Sequence, residues 1–242
     1  MSYSKSDLLY EGKGKRIFSV QGQDDLVWME FKDDLTAFNA EKKGSFEGKG
    51  RLNCEIATFI FEHLSQFQIP HHFVEKVSDN EVVAKKVEIV PLEVIVRNWL
   101  AGSTAKKFKK EEGEKLETPL HEFFYKDDAL GDPFINDQQA LYLGAASSTQ
   151  ELDQLRLMAG EINGYLKAMF EKAGLKLIDF KLEFGKDKDG KILLADEITP
   201  DSCRLWDMET DEKFDKDRFR RDLGDVDKAY ASVFERLKAN VN

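Results

Sequence analysis

One stretch constrains this chain more than any other: Leu177-Ile178-Asp179-Phe180-Lys181-Leu182-Glu183-Phe184-Gly185. Apolar and charged residues alternate along it without a break. A period of two is the pattern of a β-strand with one dry and one wet face. Ile178, Phe180, Leu182 and Phe184 take one face, and Asp179, Lys181 and Glu183 the other. Asp189-Gly190 follows as a two-residue hairpin turn signal, so residues 176–198 read as a β-hairpin.

That turn sets Lys188 opposite Lys191 and Glu183 directly opposite Asp196. A four-residue loop would shift the pairing by two and still keep Asp196 on the face of Lys181 and Glu183. Opposed carboxylates repel across a strand pair. The pattern therefore asks for a cation between them. Hard divalent cations such as Mg²⁺ take carboxylate oxygens and keep positions for water and phosphate. Lys181 adds further positive charge, and Glu197 is expected to point to the other face. A strand with a merely solvated outer face is the plainer alternative.

Three other segments suit anions. Gly12-Lys13-Gly14-Lys15 lies between two strand-like runs, where glycines let backbone amides approach an anion and the lysines add charge. It lacks the Gly-Lys-Ser/Thr ending and following helix of a P-loop, and an ordinary hairpin turn explains it equally well. Arg97-Asn98-Trp99-Leu100-Ala101-Gly102-Ser103-Thr104 is a small-residue turn opening a helix, which offers free N–H groups to phosphate. Arg97 could add a two-pronged contact; a capped helix with a surface arginine is the alternative. In residues 196–207, Arg204 follows Asp201 and Ser202 and could hold an anion, or simply pair with an acid at the surface.

Periodicity places helices over 51–67, 149–173 and 225–239, with Ser148-x-x-Glu151 as a capping box for the second. Strands are expected within 8–31 and over 73–77, 81–87 and 92–97, with Pro91 breaking the last two apart. Residues 118–147 show no clear pattern. A β-rich start followed by mixed elements reads as α+β with two lobes, crossing near 88–91. The 242 residues, 41% of them hydrophobic, suffice for one large domain or two intimate ones. A net charge of −10, from 36 basic and 46 acidic residues, disfavours a nucleic-acid or anionic-membrane binder, so any anion site must be built locally.

Cys54 and Cys203 stand far apart and suggest neither a disulfide framework nor a zinc cluster. His63, His71, His72 and His121 show no metal spacing. No Gly-x-Ser-x-Gly nucleophile motif occurs. The N-terminus has no signal-like apolar region, and no run approaches a membrane span, so a soluble cytoplasmic protein is expected.

Two long segments, Val90-Pro91-Leu92-Glu93-Val94-Ile95-Val96-Arg97-Asn98-Trp99-Leu100-Ala101-Gly102-Ser103 and the 177–185 strand, resemble the signatures of the phosphoribosylaminoimidazole-succinocarboxamide synthases, or SAICAR synthetases. The Gly12-Lys13-Gly14-Lys15 hairpin, residues 196–206 and Asp215-Lys216-Asp217-Arg218-Phe219-Arg220 fit in the same order. The resemblance thus covers nearly the whole chain. It implies a ligase of purine biosynthesis that joins L-aspartate to the carboxylate of carboxyaminoimidazole ribonucleotide (CAIR). ATP would be cleaved to ADP and phosphate, with Mg²⁺ required and an acyl phosphate as intermediate. It also implies a kinase-like antiparallel-sheet lobe over residues 1–89, an ATP-grasp-like lobe over 90–242, and nucleotide in the cleft between them. Carried over by position, Gly12, Lys13, Gly14, Lys15 and Lys85 would bind ATP, and Glu183 and Asp196 the metal. Arg97, Ser103 and Arg204 would surround the ribonucleotide phosphate. Lys181, Asp179 and Asp201 would form the catalytic group, with Asp179 and Asp201 as candidates for the amine proton.

One segment departs from the family pattern: Thr36-Ala37-Phe38-Asn39-Ala40 stands where many members have Ser-Ala-Gly-Asp-Gly. Asn39 can keep a hydrogen bond there but not a charge. The expected partners are the three small substrates, with no nucleic acid and no membrane; a homodimer follows from family habit alone. A small-molecule kinase is the rival reading, but the chain has no His-Arg-Asp loop and no Asp-Phe-Gly. A non-catalytic nucleotide-binding module is a second rival, and it leaves the opposed carboxylates without a purpose.

Overall fold

The computed structural model describes residues 3–37 and 41–241; Asn39 and Ala40 lie outside the described residues. Three strands open the chain, β1 (Lys5–Glu11), β2 (Lys15–Val20) and β3 (Gln23–Phe31). The Gly12-Lys13-Gly14-Lys15 turn joins the first two, with Gly12 N–H donating to Lys15 O at 2.8 Å. A short separate hairpin follows, β4 (Asp34–Ala37) and β5 (Lys42–Ser45), then α1 (Lys49–Ser65), β6 (Phe73–Ser78) and β7 (Glu81–Lys85). The first sheet is antiparallel in the order β1-β2-β3-β7-β6. α1 buries Ile56, Ile60 and Leu64 and packs on β3, β6 and β7. Its first turn presses so closely on the Phe31 carbonyl that a Cβ on Gly50 would have no room.

The chain leaves the first sheet at Lys85 and enters the second in β8 (Glu88–Trp99). Next come α2 (Gly102–Phe108), β9 (Lys115–Tyr125), β10 (Phe134–Ile135), α3 (Asp137–Tyr142) and α4 (Thr149–Lys172). They are followed by β11 (Leu175–Lys186), β12 (Ile192–Ala195), β13 (Cys203–Asp207), α5 (Asp217–Arg220) and α6 (Val226–Asn240). The second sheet runs β10-β9-β8-β11-β12, and β13 also pairs with β11. β11 is therefore central: β8 lies along one edge, while β13 and β12 share the other.

α4 lays Leu152, Leu155, Ala159, Ile162, Leu166 and Met169 against β8 and β11, as its period demands. Only half of the expected capping box forms. The Ser148 side chain accepts from Glu151 N–H, but the Glu151 carboxylate accepts from Ser147 N–H instead. α6 buries Ala229, Tyr230, Val233 and Leu237 and packs on α1 and α4. One continuous apolar core thus runs through an α+β molecule of two lobes. Among the described residues, no helix is long and apolar enough to cross a membrane.

Two expectations need correcting here. Pro91 does not break the strand; β8 passes through it. Glu183 pairs with Glu93 and Gly185 with Ile89, so β8 carries two extra residues at that point. The bulge accommodates a residue with no N–H to give. The second correction is the hairpin register. Glu183 pairs with Ala195, Phe184 with Leu194 and Lys186 with Ile192. Gly190 N–H donates to Asp187 O, and Asp187 N–H to Lys191 O. Gly190 sits at φ +77°, the left-handed position that closes a three-residue loop with a bulge. That loop displaces the pairing by one residue from the two-residue turn, and Glu183 does not oppose Asp196.

Candidate active site

The polar face of β11 is the foundation of the site. Across the ladder, Asp179 meets Arg97 of β8, Lys181 meets Ile95 and Glu183 meets Glu93. With Glu183 paired to Ala195, a regular pleat would send the next residue, Asp196, to the opposite face. Asp196 escapes this because its backbone turns left-handed, at φ 59°. The kink ends the pleat and brings the carboxylate back to Lys181. The two acids share a face, as the sequence suggested, but through a kink rather than a pairing.

Lys181 Nζ stands among three carboxylates: it contacts Glu183 and lies 3.3 Å from Glu93 and 3.4 Å from Asp196. Burial disfavours its charge, yet Glu183, Asp196 and Glu93 outweigh burial and hold its pKa well above the ordinary lysine value. Lys126 Nζ shares the same Glu183 Oε1 at 2.9 Å. Burial likewise opposes ionisation of Asp196, but Lys15 and Lys181 overcome it and hold the carboxyl well below the usual range. Lys15 pairs with both Asp196 and Glu197. Glu197 therefore faces this site, contrary to the alternation argument, because the kink at Asp196 cancels the alternation.

Above this floor lies a cavity of ≈ 660 Å³ between the lobes. The glycine hairpin contributes Gly12, Lys13, Gly14 and Lys15, and Lys85 joins from β7. Ile17, Val27, Met29 and Ile89 form an apolar wall, and Lys181, Glu183, Asp196 and Asp201 the charged end. Lys13 Nζ meets Asp128 Oδ1 at 2.7 Å, so the hairpin reaches across to the second lobe.

Asp201 is more tightly held than the sequence suggested. Its Oδ2 accepts from Lys49 Nζ at 2.6 Å and Asn53 Nδ2 at 2.9 Å, and its Oδ1 from Tyr230 OH at 2.7 Å. Burial opposes its ionisation, but Lys49 and Lys216 prevail and keep the carboxyl well below the usual range. Its three hydrogen-bond partners tie α1 and α6 to the segment after β12.

The remaining expected residues form a second, contiguous cluster that does not line the cavity. Arg97, only 2% exposed, contacts Asp179 and donates through Nε to Glu122 at 2.7 Å. Ser103 Oγ lies 3.5 Å from Arg97 Nη2. Arg204 donates through Nη1 to both Asp179 oxygens at 3.0 Å and through Nε to Asp217 at 2.9 Å. Asp179 is thus clamped between two guanidinium groups. Gly102, at φ +62°, lies directly under the Arg204 guanidinium, where a side chain would collide. Its N–H is taken by Glu112 Oε1 at 2.9 Å, so the helix start is less open than the sequence implied.

Several site groups were missed at the sequence level. Lys49 and Asn53 lie four apart on α1, a spacing that puts both on one helix face. His72 is buried beside Asp196, and burial together with Lys15 pushes its imidazole down to about 4. The Cys203 thiol is pushed up by burial, which suits a wall residue and not a nucleophile. Among the described residues, no group of three or more His, Cys, Asp or Glu side chains is arranged to hold a metal ion.

A family model for SAICAR synthetase matches residues 8–237. A phosphoribosylaminoimidazole-succinocarboxamide synthase of Campylobacter fetus subsp. fetus is 54% identical over 96% of this chain and 98% of its own length. The crystal structure of the corresponding synthase from Ehrlichia chaffeensis superposes with a TM-score of 0.93 at 40% identity, covering 98% of this chain and 100% of the other. A SAICAR synthetase in complex with ADP gives a TM-score of 0.92 at 44% identity, over 96% and 97% of the two chains. Matched almost end to end in sequence and in fold, the chain belongs to the SAICAR synthetase family.

Proposed function

We propose that this protein is an ATP-dependent ligase joining L-aspartate to the carboxylate of CAIR, with release of SAICAR, ADP and phosphate. The observation that carries the reading is the charged end of the interlobe cavity. There Lys15 and Lys181 meet Glu183 and Asp196 beneath a glycine hairpin, within a chain of the SAICAR synthetase family. The apolar wall of Ile17, Val27, Met29 and Ile89 suits a purine ring, and the hairpin suits its phosphates.

A carboxylate is a poor electrophile, since an amine cannot displace oxide from it. Phosphorylation would convert it to an acyl phosphate with a good leaving group. Phosphoryl transfer depends mainly on positioning and charge neutralisation, which Lys13, Lys15 and Lys181 supply. Glu183 and Asp196 offer hard carboxylate oxygens of the kind Mg²⁺ takes, and both already reach one cation, the Lys181 ammonium. Glu183 and Asp196 would hold the ion, which when bound would neutralise charge on the polyphosphate. Arg97, Ser103 and Arg204 would hold the ribonucleotide phosphate, with Asp179 keeping the two guanidinium groups aligned. The lobes, meeting at the 86–89 crossover, would shield the activated carboxylate from water.

The test is substrate dependence of ATP cleavage. ADP release should require the ribonucleotide, and a product containing the aspartate nitrogen should form in equal amount. ADP release with the ribonucleotide missing, or with stable phosphorylation of another acceptor, would overturn the assignment.

A further inference from the structure

Asp196 carries its carboxylate to the Glu183 face only because its backbone is left-handed. Non-glycine residues in that region persist where their surroundings hold them there. The holding group comes from outside the hairpin. His72 Nε2 lies 3.0 Å from the Asp196 carbonyl oxygen. A carbonyl only accepts, so Nε2 carries the hydrogen and donates it. The ring cannot drift: it is 5% exposed and packs on Phe61 at 5.5 Å between centroids. Its backbone is fixed at both ends, with His72 N–H donating to Leu194 O at 2.9 Å and Lys85 N–H donating to His72 O at 2.7 Å. His72 therefore sits between β12 and β7, one strand from each lobe.

Fixing the Asp196 carbonyl fixes the peptide plane between Asp196 and Glu197. Released, Asp196 would relax toward extended backbone, and the pleat would swing its carboxylate away from Lys181. We infer that His72 is a positioning residue that locks the Asp196–Glu197 peptide and so aims the Asp196 carboxylate into the cavity. This inference rests on reading Asp196 as a metal-holding acid. Groups that orient metal ligands from behind commonly change metal affinity by 10–100-fold when removed.

The experiment is ADP binding by titration calorimetry, with Mg²⁺ and with EDTA, for wild type, His72→Phe, His72→Gln and Glu183→Gln. Wild type should bind ADP more tightly with Mg²⁺. His72→Phe fills the space without a donor and should reduce that gain about tenfold, measured against the same variant's affinity in EDTA because His72 also lines the cavity. His72→Gln can donate from nearly the same place and should recover most of the gain. If His72→Phe does not fold, His72→Leu takes its place. Loss of the gain in Glu183→Gln with full gain in His72→Phe would overturn the role of His72. A full gain in Glu183→Gln would instead remove the metal reading on which it rests.

Discussion

Asp215 and Asp217 share one buried turn, the Asp217 N–H donating to Asp215 Oδ1 at 2.7 Å. Their environments differ sharply. Burial opposes charge on Asp217, but Arg204 and Arg220 win and lower its carboxyl to about 2. Asp215 accepts from the backbone amides of Leu205 and Asp217, and burial followed by the Asp217 charge pushes it up to about 7. An acid whose pKa rises on folding stabilises the native state below its ordinary value, 3.8, and loses that contribution as pH climbs through about 7. The stability of wild type relative to Asp215→Asn should therefore fall between pH 4 and pH 7.5. Urea denaturation of both proteins across that range measures it; a difference that stays constant contradicts the raised value.

Glu183→Gln and Asp196→Asn should each lower ADP release by about two orders of magnitude or more, the loss expected when a group that binds the metal directly is removed. Circular dichroism should show the fold intact, because both amides keep the shape of the acid. A folded variant with near-normal turnover would end the metal assignment.

Arg97→Ala should raise the KM for the ribonucleotide with little change in the KM for ATP, since Arg97 lies outside the interlobe cavity proposed for the nucleotide. It should also destabilise the protein by about 3 kcal/mol, because the buried Asp179 and the half-buried Glu122 lose that partner. Arg97→Lys keeps the charge but not the planar fork and should fall between the two. An unchanged ribonucleotide KM in the alanine variant would count against the phosphate role.

Tyr230→Phe removes one hydroxyl, fully buried and 2.7 Å from the ionised Asp201. The expected cost is about 2 kcal/mol, the scale of a hydrogen bond to a charged group. Chemical denaturation reads it directly. A change under about 0.5 kcal/mol would mean that Lys49 and Asn53 satisfy Asp201 without Tyr230.

The pattern of single residues carried much of this architecture. Alternation assigned the faces of β11 from Asp179 onward, and the apolar stripes of α4 and α6 placed their buried sides, because burial acts on each residue according to its period. Ile178 departs from it, since a register shift against β13 leaves it extra and it packs with Ala101 and Trp206 rather than with Phe180, Leu182 and Phe184. Turn class was less legible. Asp189-Gly190 suits a two-residue turn and also a three-residue turn with a left-handed glycine, and the two differ by one step in register. The kink at Asp196 was hidden for another reason. Aspartate tolerates left-handed backbone, but here His72 supplies the hydrogen bond that holds it, from more than a hundred residues away. Lys49 on Asp201 and Lys15 on Glu197 are also pairs between distant segments, which no local pattern encodes. The cluster of Arg97, Ser103 and Arg204 was readable residue by residue, but not its separation from the main cavity.

The three bonds converging on Asp201 have a mechanical consequence. They pin α1 and α6 to the segment after β12, so α1 is anchored to the floor of the second lobe although it also lies under the first sheet. A closure of the cleft that kept these three bonds would leave α1 in place and put the travel in the glycine hairpin and the strands that carry it.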